Sequence, residues 1–474
     1  MPAVTWRRVM WVTMVAVVAV LAVGCGGQAI SGPRAVARSS AGAVTSRLGA
    51  AAFVAFPAVA TDGADGFDAV WTGGPGITTA HWSTAARTWS SATPLSGGIP
   101  GQSTALVAGS ASGGAAVVWT VGSVDRAPAI QARYRAALSS AWQQTATLYS
   151  SGSESVDSPQ VGMDDRGDAV AVWVTSGGAI DLAEHPAGAG AWLPRVTVTT
   201  DRRAGNGLVF AVSAGGTLAL AWEHHLSGGR GDRSRSRLDV KVRPVGSRGW
   251  LQTLSLGAEG EPTLQGDAST YIPSPSLASN ARGSVFVAWP WPHRGTFYPR
   301  AAVLTPDSRW RTPHLVSLPH PGITPVIAGD DRGVATVLWQ SYSPSKAGPG
   351  ELEQADLSPQ ARLLAIHQLG LGGIPVIAAD GTGDVVATWG ESTAAFRPAG
   401  HRWCPKLSLG RSSEAQVAIA PNGIAQVIWH RESETIAART LTACHTSAQP
   451  LHAGERNISA PGLPRTTHQG HRLL

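Results

Sequence analysis

Chemistry in this 474-residue chain has to come from few side chains, because charged residues make up only 14% of it. Histidine is the first place to look. Glu223, His224 and His225 are consecutive, with His293, His320 and His430 elsewhere. Zinc needs imidazoles at helical or hairpin spacing. None of these has it, so no metal site is expected. Asp recurs three residues ahead of Gly, as in Asp164 and Gly167, Asp330 and Gly333, and Asp380 and Gly383. A calcium loop needs alternating carboxylates, which no copy has, whereas capping a turn needs only one. Arg230-Gly231-Asp232 is an adhesion-type tripeptide, but three residues in an Arg- and Gly-rich stretch arise easily by chance. Phosphate-cradling glycine loops, a serine nucleophile elbow and paired-carboxylate signatures are all missing. No cofactor is expected.

The Asp and Gly positions belong to a longer frame that must position whatever chemistry exists. Pro159, Asp164, Gly167 and Trp173 recur as Pro275, Asn280, Gly283, Trp289, then as Pro325, Asp330, Gly333, Trp339, and again as Pro375, Asp380, Gly383, Trp389. Weaker copies run through Ser110, Gly113, Trp119, through Ser213, Gly216, Trp222, and through Gly423, Trp429. Trp follows Gly by six residues each time, and the first copy keeps the frame with Asp65 in the Gly slot before Trp71. A fixed offset repeated about every 50 residues is the signature of a repeat architecture.

Each element has a local cause. Asp or Asn three residues before Gly suits a tight turn closed by a left-handed residue. Before it lies a short apolar strand such as Val326-Ile327-Ala328, and after it an alternating strand ends in Trp, with Ala169, Ala171 and Trp173 on one face. A second Trp follows in most units, at 89, 142, 192, 250, 310 and 403, and is expected to open a further strand. Each unit therefore reads as strands a, b, c and d, which is a propeller blade. The expected fold is all-β, an eight-bladed β-propeller of four-stranded antiparallel blades. Seven blades follow instead if the first or last unit supplies only a closing strand. The strand-b tryptophans are expected to wedge blade against blade rather than to stack sugars.

At the N-terminus, Arg7 and Arg8 precede an uncharged run from Val9 to Val23, too short to span a membrane comfortably and suited to a signal peptide. The run ends Leu21-Ala22-Val23-Gly24-Cys25-Gly26-Gly27. This resembles the bacterial lipoprotein cleavage box, which implies diacylglycerol on Cys25 and an anchor on the outer face of the cell membrane. The expected layout is signal peptide at 1–25, flexible tether at 26–50, propeller at 51–452 and disordered tail at 453–474. Cys404 and Cys444 then remain as an even pair in an oxidising compartment. They are a candidate disulfide if adjacent blades bring their Cα atoms within about 7 Å.

The Asp and Trp repeat resembles the Asp-box of sialidase-like propellers only superficially. That box sets one residue between Asp and Gly, where Asp164 and Gly167 are separated by two. The wider resemblance is to secreted bacterial propeller-repeat lipoproteins, and it implies a fold rather than an activity. A non-enzymatic scaffold binding a protein or glycan is the expected function. A glycan-active hydrolase or lyase and an envelope-assembly factor are the alternatives. The chain is expected to be a monomer, and its scattered arginines make no coherent nucleic-acid face. The variable b–c connections mark a candidate binding face with Glu223, His224 and His225 from blade four, and Glu391, His430, Arg431 and Glu432 from blades seven and eight.

Overall fold

Seven glycines of the frame, Gly113, Gly167, Gly216, Gly283, Gly333, Gly383 and Gly423, have φ between 76° and 95° in a computed structural model of the chain. A Cβ resists this left-handed region, which is why the slot is Gly. In blade six the turn closes by Gly333 N–H donating to Asp330 O at 3.0 Å, while Asp330 N–H donates to Val334 O at 2.9 Å. The Asp330 carboxylate caps the same turn, accepting from the backbone N–H groups of Arg332 and Val334 at 2.9 and 2.8 Å. Asn280, Ser110 and Ser213 play the same part in their own turns. Gly333→Val should therefore cost more than about 1 kcal/mol. Arg332→Ala beside it should cost less, since that side chain is 61% exposed. Equal denaturation midpoints for the two variants would contradict the turn.

Described residues run from 45 to 444, apart from 51–56, 64–65, 74–75, 97–104, 124–125, 138, 140, 151–155, 176, 201–206, 227–234, 258–273, 294–295, 342–349, 391, 411 and 432–434. Eight antiparallel sheets form eight blades. Blade one holds Ala58–Thr61, Gly66–Gly73 and Gly76–Ser83, with the short outer pieces Thr88–Trp89 and Thr93–Pro94. Blade two is Ala105–Gly109, Ala115–Ser123, Arg126–Arg135 and Ala146–Ser150, and blade three Val156–Met163, Ala169–Thr175, Ile180–His185 and Val196–Thr199. Blade four is Val209–Val212, Leu218–Leu226, Arg235–Arg243 and Leu254–Ser255, and blade five Ser276–Ser279, Val285–His293, Thr296–Leu304 and His314–Ser317. Blade six is Gly322–Gly329, Ala335–Ser341, Glu351–Leu357 and Leu363–Leu371, and blade seven Val376–Ala379, Val385–Trp389, Thr393–Arg397 and Leu407–Ser408. Blade eight takes Ser412–Ile419, Ala425–Arg431 and Thr435–Leu441 from the end of the chain and Thr45–Ala50 from its beginning.

The ring is thus closed by its first strand. Thr45–Ala50 pairs antiparallel with Thr435–Leu441, and strand a of blade eight packs on strand a of blade one. This corrects the expected tether boundary: residues 45–50 are the outer strand of blade eight, so the propeller begins at 45 rather than 51. Their backbone donors and acceptors complete a sheet whose own run of chain supplies only three strands. All eight blades are present.

The strand-b tryptophans are at most 4% exposed. Each lies in the seam with the preceding blade: Trp222 shares its core with Val170 and Val172 of blade three, Trp339 with Ala278 and Ala288 of blade five, and Trp71 with Ala418 and Ile428 of blade eight. Large flat side chains at a seam remove water from both blades at once. Cys404 and Cys444 are joined, with Cα atoms 5.7 Å apart. Outer strands diverge between blades, but Cys444 is not on one. Blade eight borrows its outer strand, so the chain after Leu441 is free to turn back to blade seven.

Candidate functional site

The a–b and c–d connections share one face, as side-chain bonds show: Asp168 accepts from Ala187 N–H and Asp384 from Ala399 N–H, both at 2.7 Å. On this face the last residue of strand c points into the seam with the preceding blade. The position faces the first residue of strand b, pairing Ala115 with Arg135, Ala169 with His185, Leu218 with Arg243 and Val385 with Arg397. Each of these four reaches a polar group of the blade before it. Arg135 bonds Asp68 and Asp62, His185 bonds Gln143, Arg243 bonds Glu184, and Arg397 bonds Asp356 and Thr336.

The second tryptophan of the unit covers that group. Arg135, Arg243 and Arg397 lie 5.3, 5.7 and 5.7 Å from the rings of Trp142, Trp250 and Trp403, and His185 stands edge-on to Trp192 at 5.4 Å. Cation and ring support each other best where water is excluded. These tryptophans were expected to open strand d. They precede it instead, in the c–d connection, because the ring is held over the seam. Only Trp89 lies within an outer strand. The signal was in the sequence as Arg or His six or seven residues before Trp, but its meaning depends on a contact with another blade.

One seam opens into a recess. Between blades six and seven is a cavity of about 570 Å³, walled by Arg332, Arg397, Arg402, His367, His401 and Trp403 over an apolar floor that includes Val334 and Val385. Trp403 is fixed in place by donating its N–H to Gln354 at 2.7 Å. Both carboxylates in the wall are committed. Asp330 accepts from two turn N–H groups and from Arg332 at 2.8 and 2.6 Å, and Asp356 accepts from Thr336, Gln354 and Arg397. The equivalent seam between blades three and four, with Asp164, Arg166, Glu184 and Arg243, leaves only about 100 Å³.

The seam between blades one and two is filled by charge. His81 Nδ1 lies 3.3 Å from Asp68 and 3.4 Å from Asp62, and Arg135 Nη2 lies 2.6 and 3.3 Å from the same two carboxylates. The ligating atoms of Asp62, Asp68 and His81 are within 4.8 Å of one another. The guanidinium already stands where a cation would be drawn, so the group works as an ion cluster. Burial, then the neighbouring Asp68, pushes Asp62 up to about 6, and the hydrogen bond to Asp68 raises His81. Burial also lifts Asp380 to about 6, with Asp384 adding to it.

A raised carboxyl favours the folded state below its unfolded value near 4 and loses that contribution as pH climbs through about 6. The raised His81 acts in the same direction, and His185, lowered by burial, in the opposite one. Thermal stability should therefore rise between pH 7.5 and pH 5, and Asp62→Asn should flatten that rise. A melting temperature that falls over this interval in both proteins would refute the account.

The residues singled out on the b–c face are divided. Glu223 and His224 stand at the end of strand b in blade four, with His224 Nδ1 3.3 Å from the buried Asp239. His225 follows in the same strand. His430, half-buried, and Arg431, exposed, end strand b of blade eight, on the far side of the ring. Blades four and eight face one another across the ring, so the two groups are not in contact. Glu391, Glu432 and Cys25 lie outside the described residues. On this same side sits Glu414, at the start of strand a in blade eight. Its φ is 57°, its Oε2 has no hydrogen-bond partner, and burial holds its carboxyl at about 7. Backbone strain and a raised carboxyl together mark it as a residue with a cost to explain.

No protein-family model matches the chain, and no curated protein does. Among solved structures, it is similar to the Dos1 propeller (TM-score 0.49, 7% identity, over 84% of this chain and 94% of that one). It is also similar to the BP39L lectin from Burkholderia pseudomallei (TM-score 0.46, 12% identity, 75% and 99%) and to BamB from Moraxella catarrhalis (TM-score 0.45, 12% identity, 84% and 98%). The architecture of this chain rests on its own eight sheets.

Proposed function

We propose that this propeller is lipid-anchored through Cys25 on the outer face of the cell membrane, binds a protein or glycan there, and performs no chemistry on it. The observation that carries the binding reading is the recess between blades six and seven. It has the size of a ligand site, an aromatic wall and several cationic groups, while Asp330 and Asp356 are both saturated with donors. A carboxylate whose lone pairs are filled by arginine and turn N–H groups is badly placed to move a proton. The anchor is supported by the sequence Leu21 to Gly27 alone.

The second reading is the hydrolase or lyase, and one residue favours it. Glu414, held at about 7 on the b–c side, has the protonation a general acid needs. Paired variants separate the two. Envelope components captured on the detergent-solubilised protein should be lost with Arg402→Glu and kept with Arg431→Glu, with no cleavage product from envelope polysaccharide. Product formation that vanishes in Glu414→Gln would establish the enzyme instead. Fatty-acid labelling that persists in Cys25→Ser would remove the anchor.

A further inference from the structure

We propose that the outer strand of blade six is a docking edge for an extended acidic segment of a partner protein. The segment adds beside this strand and places a side chain in the adjoining recess. This rests on the binding reading above and names the partner's chemistry. The outer strands of the other blades run two to six residues, but Leu363–Leu371 runs nine. Among the described residues it pairs on one side only, with Glu351–Leu357. It carries no Lys, Arg, Asp or Glu of its own, the residues that normally blunt an exposed edge, and Lys406 of blade seven reaches its backbone at the Leu369 carbonyl, beyond the regular run Ala365–Gln368.

The apolar surface of the molecule is concentrated here. Of eight large apolar side chains exposed among the described residues, four lie in this short stretch: Leu363, Leu364, Leu371 and Ile374, between 42% and 73% exposed. Two register shifts place extra residues in the strand, Leu364 between the partners of Asp356 and Leu357, and Leu369 between those of Leu352 and Glu353. Bulges re-aim side chains, and both of these leucines line the recess. Between them Ala365–Gln368 is regular strand, the stretch along which an added peptide strand would pair. The backbone edge would supply affinity and the recess selectivity.

Charge selects the occupant. The wall beside this strand carries three arginines, Arg332, Arg397 and Arg402, against two carboxylates, Asp330 and Asp356, an excess of one positive charge. The chain's own residues 445–474 leave close by, since Cys444 is bonded to Cys404 next to Trp403. They hold Arg456, Arg465 and Arg472 against Glu455, so they carry the wrong sign. A second copy would bring the same basic wall and be repelled. An acidic partner segment with alternating apolar residues matches both the leucines and the cations.

The test uses the full chain and a fluorescent decapeptide of alternating Glu and Val. It should bind at least tenfold more tightly than the Lys-Val peptide and than the same Glu-Val peptide N-methylated at alternate amides. Leu364→Lys and Arg402→Glu should each weaken binding tenfold or more with unchanged melting temperature, and removing 445–474 should leave it unchanged. Equal binding of the N-methylated peptide, or no peptide binding at all, overturns the strand addition. Binding of oligogalacturonate in place of the peptide does so too, while leaving the recess a binding site. A dimer that forms with concentration and is lost in Leu364→Lys makes a second copy the occupant, and a tenfold gain on removing 445–474 makes it the tail.

Discussion

Trp339→Ala is expected to cost about 3–5 kcal/mol, the usual range for truncating a large core aromatic. The side chain is fully buried, in the seam where blades five and six share one core. Its removal leaves a cavity between two sheets that cannot close without moving strands, so little of the loss should be recovered by relaxation. Chemical denaturation measures it directly. Binding measured well below the melting range should survive, because the indole has no surface to offer a ligand. Intact stability with lost binding would overturn the seam assignment.

Arg135→Met should be of similar size, about 3–5 kcal/mol at pH 7.5, because it strips the guanidinium from two buried carboxylates. Asp62 and Asp68, both of blade one, would then stand together at the seam with only His81 to offset them. The deficit should shrink at pH 5. Asp62, already at about 6 with Arg135 in place, takes up a proton more readily once that positive charge is gone. Arg133→Met, which removes only a hydrogen bond to Thr145 at the surface, is the control and should cost no more than about 1 kcal/mol. A pH-independent loss in Arg135→Met would mean that the arginine acts through packing alone.

How much of this was legible in the residues follows from where each signal is local. The Gly333 turn and the Trp339 wedge could be read because one φ value and one large side chain per repeat leave few alternatives. Arg135, Arg243 and Arg397 could not, since each acts on a carboxylate of the blade before it and the repeat frame does not mark strand c. Thr45–Ala50 reads as tether because it continues a stretch of Gly, Ala, Ser and Arg, and its own sequence, Thr-Ser-Arg-Leu-Gly-Ala, has no tryptophan to mark a blade. What makes it a strand is the vacant edge of Thr435–Leu441, a feature of the closed ring and not of the segment. The recess was hidden for the same reason. Two of its lining side chains, Leu364 and Leu369, sit at bulges, and bulges are matters of pairing register.

The borrowed strand also sets an order of events. Thr45 finds its partner in Arg439, so the earliest of the described strands has to wait for the last blade before it has anywhere to pair. Contacts between the two ends of a chain are the slowest to form, because loop closure must precede any gain from them. Cys404 and Cys444 are separated by only 40 positions, and blades seven and eight can be linked while the circle is still an open arc. Refolding should therefore show an early phase in which most blades acquire protection from hydrogen exchange. A later phase should be confined to Thr45–Ala50 and Thr435–Leu441, and its rate should set how soon the newly made protein resists proteolysis.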